Sequence, residues 1–211
     1  MFRLTQLVTL ADRAARDDLA AALRAVGRRA RSLLVEPTLE GSFNGGDLLV
    51  HASFNAAGDR AAFELEAQAL LGRPATASID SVSYSSEADG REPGLRDGIY
   101  RVLLLSIEPG TDRDTVARFE AELLAMPRHI AAIRNWRLSR VEQAAGARAW
   151  THVWEQEFAD AGGLLDAYML HPYHWAHIDR WFDPECPERI VDARLCHSFC
   201  RVDRSAISSG G

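Results

Sequence analysis

Residues that can transfer or stabilise a proton cluster in the second half of the chain. Tyr168, His171 and His174 fall within seven positions of one another, and His152 lies on a predicted strand just before their predicted helix. A neutral imidazole can accept a proton near pH 7, and a phenol can donate a hydrogen bond to a developing oxyanion. The cluster is therefore suited to proton removal next to a carbonyl group.

Each histidine also has an ordinary structural explanation. His171 precedes Pro172, a position where helices usually end, so its side chain could simply pack against that turn. His152 shares a strand face with aromatic residues, which is typical of a core histidine. Only as a group do these residues favour catalysis over packing.

Metal binding is a competing explanation for the same histidines. His171, His174, His177 and Asp179 could offer metal ligands, but positions i and i+6 lie far apart around a helix. The sequence has no HExxH or CxxC motif. We therefore expect no metal ion.

Aromatic residues are concentrated around the cluster and could form the wall of a dry pocket for a flat apolar ligand. The predicted substrate-pocket residues are His171, Trp150, Trp154, Tyr173 and Trp175. The alternative is that the tryptophans belong to an ordinary core.

Composition and motifs exclude several classes of protein. The net charge of −6 argues against a nucleic-acid binder. No run of 18 apolar residues is present, and the N-terminal segment lacks the apolar core of a signal peptide, so we expect a cytoplasmic protein with no membrane contact. Three cysteines are too few for a disulfide framework, and no phosphate-binding loop or Rossmann fingerprint appears.

Hydrophobic periodicity gives the same order of elements twice, β-α-β-β-α-β. We predict an α+β fold in which two ferredoxin-like units in tandem form a dimeric α+β barrel within one chain. The predicted boundaries are residues 1–87 for a first, degenerate unit, 88–97 for a linker, 98–203 for the unit with the Tyr/His cluster, and 204–211 for a flexible tail.

The strand from Trp150 to Phe158 and the segment from Asp166 to His174 resemble the stress-responsive A/B-barrel family. The family pattern is a Thr-His strand followed by Asp-x-Tyr-x-x-His-Pro-x-His, and the chain is most similar to the plant polyketide cyclases within it. Relatives often carry a histidine at the start of the first strand, where this chain has Tyr100 and Arg101. The first half lacks the motif altogether.

The resemblance implies that His174 is a general base and that Tyr168 is its hydrogen-bonding partner near the substrate carbonyl. It further implies that His152 is a pocket histidine and that the role of His171 is more structural. The implied reaction needs no cofactor: proton removal next to a carbonyl, then aldol closure or isomerisation. The implied partner is a small apolar or aromatic substrate, and the two-unit chain could form a homodimer.

Three functions remain open from the sequence. The first is a cyclase, isomerase or lyase, which predicts that Tyr168, His174 and His152 converge on a cavity. The second is a non-catalytic binding or stress-protection protein, which predicts no cavity larger than a few waters beside His174. The third is a cofactor-free monooxygenase of the related barrel families.

Overall fold

The computed structural model describes residues 1–85 and 89–207, and its elements follow the predicted order. The first half contains β1 (Phe2–Leu10), α1 (Arg16–Val26), β2 (Ser32–Pro37), β3 (Leu48–Phe54), α2 (Ala57–Leu71) and β4 (Thr76–Ser85). The second half contains β5 (Asp89–Gly90), β6 (Arg96–Leu105), α3 (Arg113–His129), β7 (Asn135–Ala145), β8 (His152–Phe158) and β9 (Cys196–Arg204). Two π-helical turns, Gly163–Tyr168 and His174–Ile178, lie between β8 and β9.

One antiparallel sheet runs through both halves in the order β2-β3-β1-β4-β7-β8-β6-β9. Each half has its strands in the order second, third, first, fourth, as in a ferredoxin-like unit, when the short β5 is set aside. The halves meet where β4 pairs with β7, from Ser81 opposite Ala145 to Tyr84 opposite Val141. The predicted fold class, an α+β barrel, is confirmed.

The sheet nearly closes on its other side as well. Residues that follow β2 pair with β9: Phe43 forms a bridge with His197, and Leu39 N donates to Phe199 O at 2.9 Å. None of the helices in the described ranges is long and apolar enough to cross a bilayer.

Strand alternation divides the buried side chains between the helices and the barrel interior. On β6, Ile99, Leu103 and Leu105 pack in the core beneath α3, whereas Tyr100 and Val102 pack inside the barrel. The first half has its own core between sheet and helices, built on α1 and α2. The side chains of β6 and β8 that face out of the barrel therefore contact the second-half helices.

A polar cluster is buried inside the barrel and joins the two halves. This interior cluster consists of Thr5, His51, Tyr84, Tyr100, Arg137 and Glu155. Arg137 Nη2 lies 2.6 Å from Glu155 Oε1, and Tyr100 donates to the same oxygen at 2.7 Å. Burial by itself would raise the pKa of Glu155, but Arg137 and His51 hold that pKa at about 2. Glu155 is therefore an ionised, fully paired carboxylate.

Two predicted boundaries need adjustment. In the predicted linker, Gly90 pairs with Asn135 of β7 and β6 already begins at Arg96, so part of this segment belongs to the sheet. In the predicted flexible tail, Ala206 N donates to Glu157 Oε1 at 2.6 Å, and Ile207 is buried in the barrel interior. Residues 86–88 and 208–211 lie outside the described residues.

Candidate active site

Short turns after β8 carry Tyr168 and His174 onto the outer face of the second-half sheet. Asp160 Oδ1 accepts from Gly163 N at 2.8 Å and begins the first π-helical turn. His171 joins the two turns: its Nδ1 accepts from Tyr173 N at 3.1 Å, and its carbonyl accepts from His174 N at 2.9 Å. In the structure, His171 therefore contributes hydrogen bonds to the connection between the two π-helical turns.

Tyr168 and His174 meet in a buried, edge-to-face contact. Their ring centroids are 4.7 Å apart with an interplanar angle of 72°, and the two residues are 2% and 8% exposed. Burial raises the pKa of Tyr168, while the nearby Arg101 opposes that rise. Tyr168 is therefore a neutral phenol that can donate a hydrogen bond at neutral pH.

A cavity of about 200 Å³ lies beside this pair. Its polar lining residues are Arg101, Tyr168, His174, Asp179 and His197. Its apolar lining residues are Leu103, Leu123, Trp154, Met169, Ile178, Phe182 and Leu195. The volume is several times the roughly 30 Å³ that one water occupies in the liquid. The site therefore combines a proton acceptor and a hydrogen-bond donor with a mainly apolar wall.

Arg101 lines the cavity from the helix-facing side of β6. Its Nε donates to His197 Nε2 at 2.7 Å, and its Nη1 donates to Gln156 Oε1 and lies 3.4 Å from the Tyr168 hydroxyl. Burial, together with Arg101 and His174, lowers the pKa of His197 to about 3. His197 is therefore neutral and acts as an acceptor that fixes the orientation of the guanidinium.

Asp179 is placed to orient the His174 ring. His174 Nδ1 lies 3.3 Å from Asp179 Oδ1, although the two groups are not aligned as a hydrogen bond. The negative charge of this carboxylate favours a proton on Nδ1 and thus Nε2 as the basic nitrogen. An imidazole oriented by a carboxylate is the usual arrangement of a general base.

His152 lies elsewhere, although the sequence placed it with Tyr168 and His174. Its Nε2 lies 2.9 Å from Glu120 Oε1 of α3, its Nδ1 is hydrogen-bonded to Thr151, and its ring packs edge-to-face on Phe119. It faces the helix side of the sheet, but at the start of β8 and outside the cavity lining. These contacts fix α3 on the sheet, and a role for His152 in the cavity needs correction.

Of the predicted substrate-pocket residues, only Trp154 lines the cavity. Trp150 precedes β8 and packs inside the barrel, where its Nε1 donates to Asp80 Oδ1 at 3.0 Å. Tyr173 stacks on His129 with centroids 4.0 Å apart, and Trp175 is 59% exposed. His171 is used in the turn. These four positions are corrected: His171 lies in the turn, Tyr173 packs against α3, Trp175 faces solvent, and Trp150 packs inside the barrel.

The sequence analysis did not identify His197, and it named Arg101 only as a departure from the family pattern. One signal was present: Arg101 is the only charged residue among the alternate positions Ile99, Arg101, Leu103 and Leu105 of a strongly apolar strand. His197 gives no comparable signal, because its position beside Arg101 depends on the pairing of β6 with β9.

One other candidate site in the described residues, a groove along α2, is less suited to chemistry. This larger groove of about 490 Å³ lies along α2 and the β4–β7 seam, but Glu64 is its only ionisable lining residue. Among the residues that the structure describes, no three His, Cys, Asp or Glu side chains are grouped so that they could hold a metal ion. The smaller cavity beside His174 is therefore the better candidate, despite its size.

A family model described as the stress responsive A/B barrel domain matches residues 99–192. This segment begins in β6 and includes every turn that carries Tyr168 and His174. A search of curated proteins finds no match to the chain.

Solved structures of similar fold span nearly the whole chain. A candidate monooxygenase from Fusobacterium nucleatum subsp. nucleatum has 7% identity and a TM-score of 0.62, over 96% of this chain and 92% of that one. An anthrone oxidase-like protein has 11% identity and a TM-score of 0.59, over 95% and 90%. A variant of the chlorite dismutase from Candidatus Nitrospira defluvii has 11% identity and a TM-score of 0.54, over 98% and 92%. At such identities the likeness concerns the fold alone.

Proposed function

Because residues 99–192 form a stress responsive A/B barrel domain, we propose that the cavity beside Tyr168 and His174 is the active site of an enzyme that enolises a small carbonyl compound without a cofactor. The observation that carries this proposal is the buried contact of the two rings, 4.7 Å apart, at a cavity with a mainly apolar wall. A purely structural role for His174 would not require a cavity beside its ring.

The proposed chemistry is a proton transfer between His174 and carbon. His174 Nε2 takes a proton from the carbon next to the carbonyl, and the electron pair of the C–H bond moves towards the carbonyl oxygen. The Tyr168 hydroxyl donates a hydrogen bond to that oxygen as its negative charge develops. The enolate carbon then attacks a second carbonyl of the same molecule, whose π electrons pass to its oxygen, and that oxygen takes the proton back from His174; alternatively, His174 returns the proton to another carbon of the enolate. These two fates correspond to cyclase and isomerase activity.

The environment supports these roles. The mainly apolar wall lowers the local dielectric constant relative to open water, which strengthens the hydrogen bond from Tyr168 to a developing oxyanion. Asp179 stabilises the imidazolium that forms when His174 takes the proton, since its carboxylate lies 3.3 Å from Nδ1. We further propose that the first half completes the barrel as a structural partner, because its core between sheet and helices is filled by residues such as Phe63, Ala67 and Leu71.

The test is exchange of carbon-bound hydrogen for deuterium, followed by NMR in D₂O. The panel consists of small enolisable ketones and keto acids with aromatic or short aliphatic bodies. We expect the wild type to accelerate exchange of at least one compound, and His174→Ala to reduce that acceleration about 10²-fold or more.

His177→Ala is the matched control, because His177 lies on the same turn but is exposed. It should exchange as fast as the wild type. Full exchange by a folded His174→Ala protein would contradict the proposal, and no acceleration across the panel would favour a non-catalytic binding protein.

A cofactor-free monooxygenase is the second candidate. It is favoured by the two structural relatives described as a candidate monooxygenase and as anthrone oxidase-like. The same base could remove the proton of a quinol-like substrate to give an anion that reacts with oxygen. Oxygen consumption with such a substrate would separate this reaction from cyclisation or isomerisation, neither of which uses oxygen.

A further inference from the structure

Arg101 is a buried cation whose described neighbours include no carboxylate within ion-pair distance. It is 5% exposed, and all its hydrogen-bond partners are neutral: His197, Gln156 and the Tyr168 hydroxyl. Arg137, the other buried arginine of the second half, has a carboxylate partner: it donates two hydrogen bonds of 2.6 Å to Glu155. Among the described residues, the guanidinium of Arg137 is therefore paired with a carboxylate, whereas that of Arg101 has no counter-ion.

Arg101 borders the cavity, and one nitrogen of its guanidinium makes no hydrogen bond to the described residues. Nε and Nη1 make the hydrogen bonds just described, whereas Nη2 makes none to any residue in the described ranges. Arg101 is itself part of the cavity lining. An anion in the cavity could therefore reach Nη2, with Tyr168 as a second donor 3.4 Å from Nη1.

Burying a charge without a partner is costly, so a buried cation with no counter-ion among the described residues is a candidate binding group for an anionic ligand. The guanidinium fork matches the geometry of a carboxylate. Asp179 is the only carboxylate in the cavity lining, and it faces His174 and is about half exposed. It does not neutralise Arg101.

Volume and lining restrict the anion. The cavity of about 200 Å³ is smaller than the roughly 300–1,000 Å³ that drug-sized ligands occupy. Apart from the polar groups around Arg101 and His174, its wall consists of aliphatic and aromatic side chains. This lining suits one charged end and an apolar body, and it does not suit a phosphate or a dianion.

We propose that Arg101 binds the carboxylate of a small monocarboxylic acid with an apolar body. As a statement about substrate, this inference rests on the proposed function, since it makes the enolised compound a keto acid. As a statement about binding, it can be tested without turnover. His197 is then a positioning residue that holds the guanidinium in place.

The test compares phenylacetate with phenylacetamide, which have the same shape and differ in charge, by isothermal titration calorimetry at pH 7. We expect the wild type to bind phenylacetate at least tenfold more tightly than phenylacetamide. Arg101→Gln should remove this preference, because glutamine keeps a hydrogen-bonding side chain without the charge. Arg101→Lys should retain a weaker preference.

One further variant isolates the effect. Arg201→Gln removes an exposed arginine of β9 and should leave the preference unchanged. Because the calorimetric preference of the wild type involves no turnover, failure of the proposed catalysis is distinguishable from failure of the anion site. Circular dichroism and thermal melting establish that each variant is folded, and Arg101→Lys decides the matter if Arg101→Gln does not fold.

The inference is overturned by any of three results: equal binding of the two compounds by the wild type, no binding of phenylacetate, or a preserved preference in a folded Arg101→Gln protein.

Discussion

Two opposing effects act on the pKa of the Tyr168 hydroxyl. Burial raises the pKa of Tyr168, and the Arg101 guanidinium, whose central carbon lies 5.2 Å from the ring centroid, opposes that rise. The phenol is thus protonated at neutral pH and held beside the face of His174. In this setting it can only polarise a substrate oxygen or give it a proton.

Tyr168→Phe should therefore slow enolisation less than His174→Ala does. The substitution keeps the ring and removes one oxyanion donor, a loss of about 10²-fold in rate, whereas loss of the general base can cost up to about 10⁴-fold. Deuterium exchange of the same ketone by the two variants measures this difference. An equal loss in both variants would contradict a merely polarising role and would make Tyr168 itself the proton donor.

The sequence predicted the proximity of two residues that are close along the chain, but it did not predict the proximity of two residues that are far apart along it. Tyr168 and His174 are close in sequence, so a motif brings them together before any tertiary structure is known. Arg101 and His197 are 96 residues apart, and only the pairing of β6 with β9 makes them neighbours. His152 lies on the same face of its strand as Trp154, as predicted. The strand face that a residue occupies does not determine which end of the strand borders the cavity.

At the level of elements, the turn between β7 and β8 fixes the seam between the halves. Gly146 has a φ of +119°, and a Cβ at this position would lie 2.4 Å from Ile79 O of β4. The loop therefore closes against the first half only because this position carries no side chain. Gly110, with a φ of +88°, has no heavy atom within 4 Å of such a Cβ.

We expect Gly146→Ala to lower the free energy of unfolding by more than Gly110→Ala does. Both variants carry the strain of a positive φ, on the order of 1 kcal/mol, and Gly146→Ala adds a clash with backbone. Urea denaturation of the two variants gives the comparison. Equal destabilisation would mean that the seam adapts to the extra carbon without cost.

Element order was predictable because apolar periodicity differs between strands and helices. The predicted helix of Tyr168 and His174, however, forms π-helical and 3₁₀ turns. Pro172 breaks the segment, and the wider turns change which side chains face the sheet. That change explains why Tyr173 and Trp175 point away from the cavity.

At the scale of the whole molecule, the interior cluster links the halves through charge. His51 of β3 lies 3.7 Å from Glu155 of β8 and 3.4 Å from Arg137 of β7. Burial, with Arg137 and Arg3 adding to it and Glu155 opposing it, lowers the pKa of His51 to about 4. Sequence analysis could not find this cluster, since inward-facing polar residues of a strand look the same as solvent-facing ones.

Acid should destabilise the barrel through His51. Between pH 6.5 and 4 the unfolded chain binds a proton that the folded chain excludes, so the free energy of unfolding falls as the pH falls through this window. A shift from 6.5 to about 4 corresponds to about 3 kcal/mol in total. His51→Asn removes this dependence, so urea denaturation at several pH values should give a shallower decline than in the wild type. Parallel declines would contradict the placement of His51.

The central claim is that the imidazole of His174 acts as the base in this cavity, and chemical rescue tests it most directly. In His174→Ala, free imidazole can enter the space that the side chain vacates. We predict that added imidazole raises deuterium exchange by His174→Ala in a saturable manner and has no such effect on the wild type or on His177→Ala. If imidazole raised exchange equally in all three proteins, or not at all in the folded His174→Ala variant, the base would not be His174.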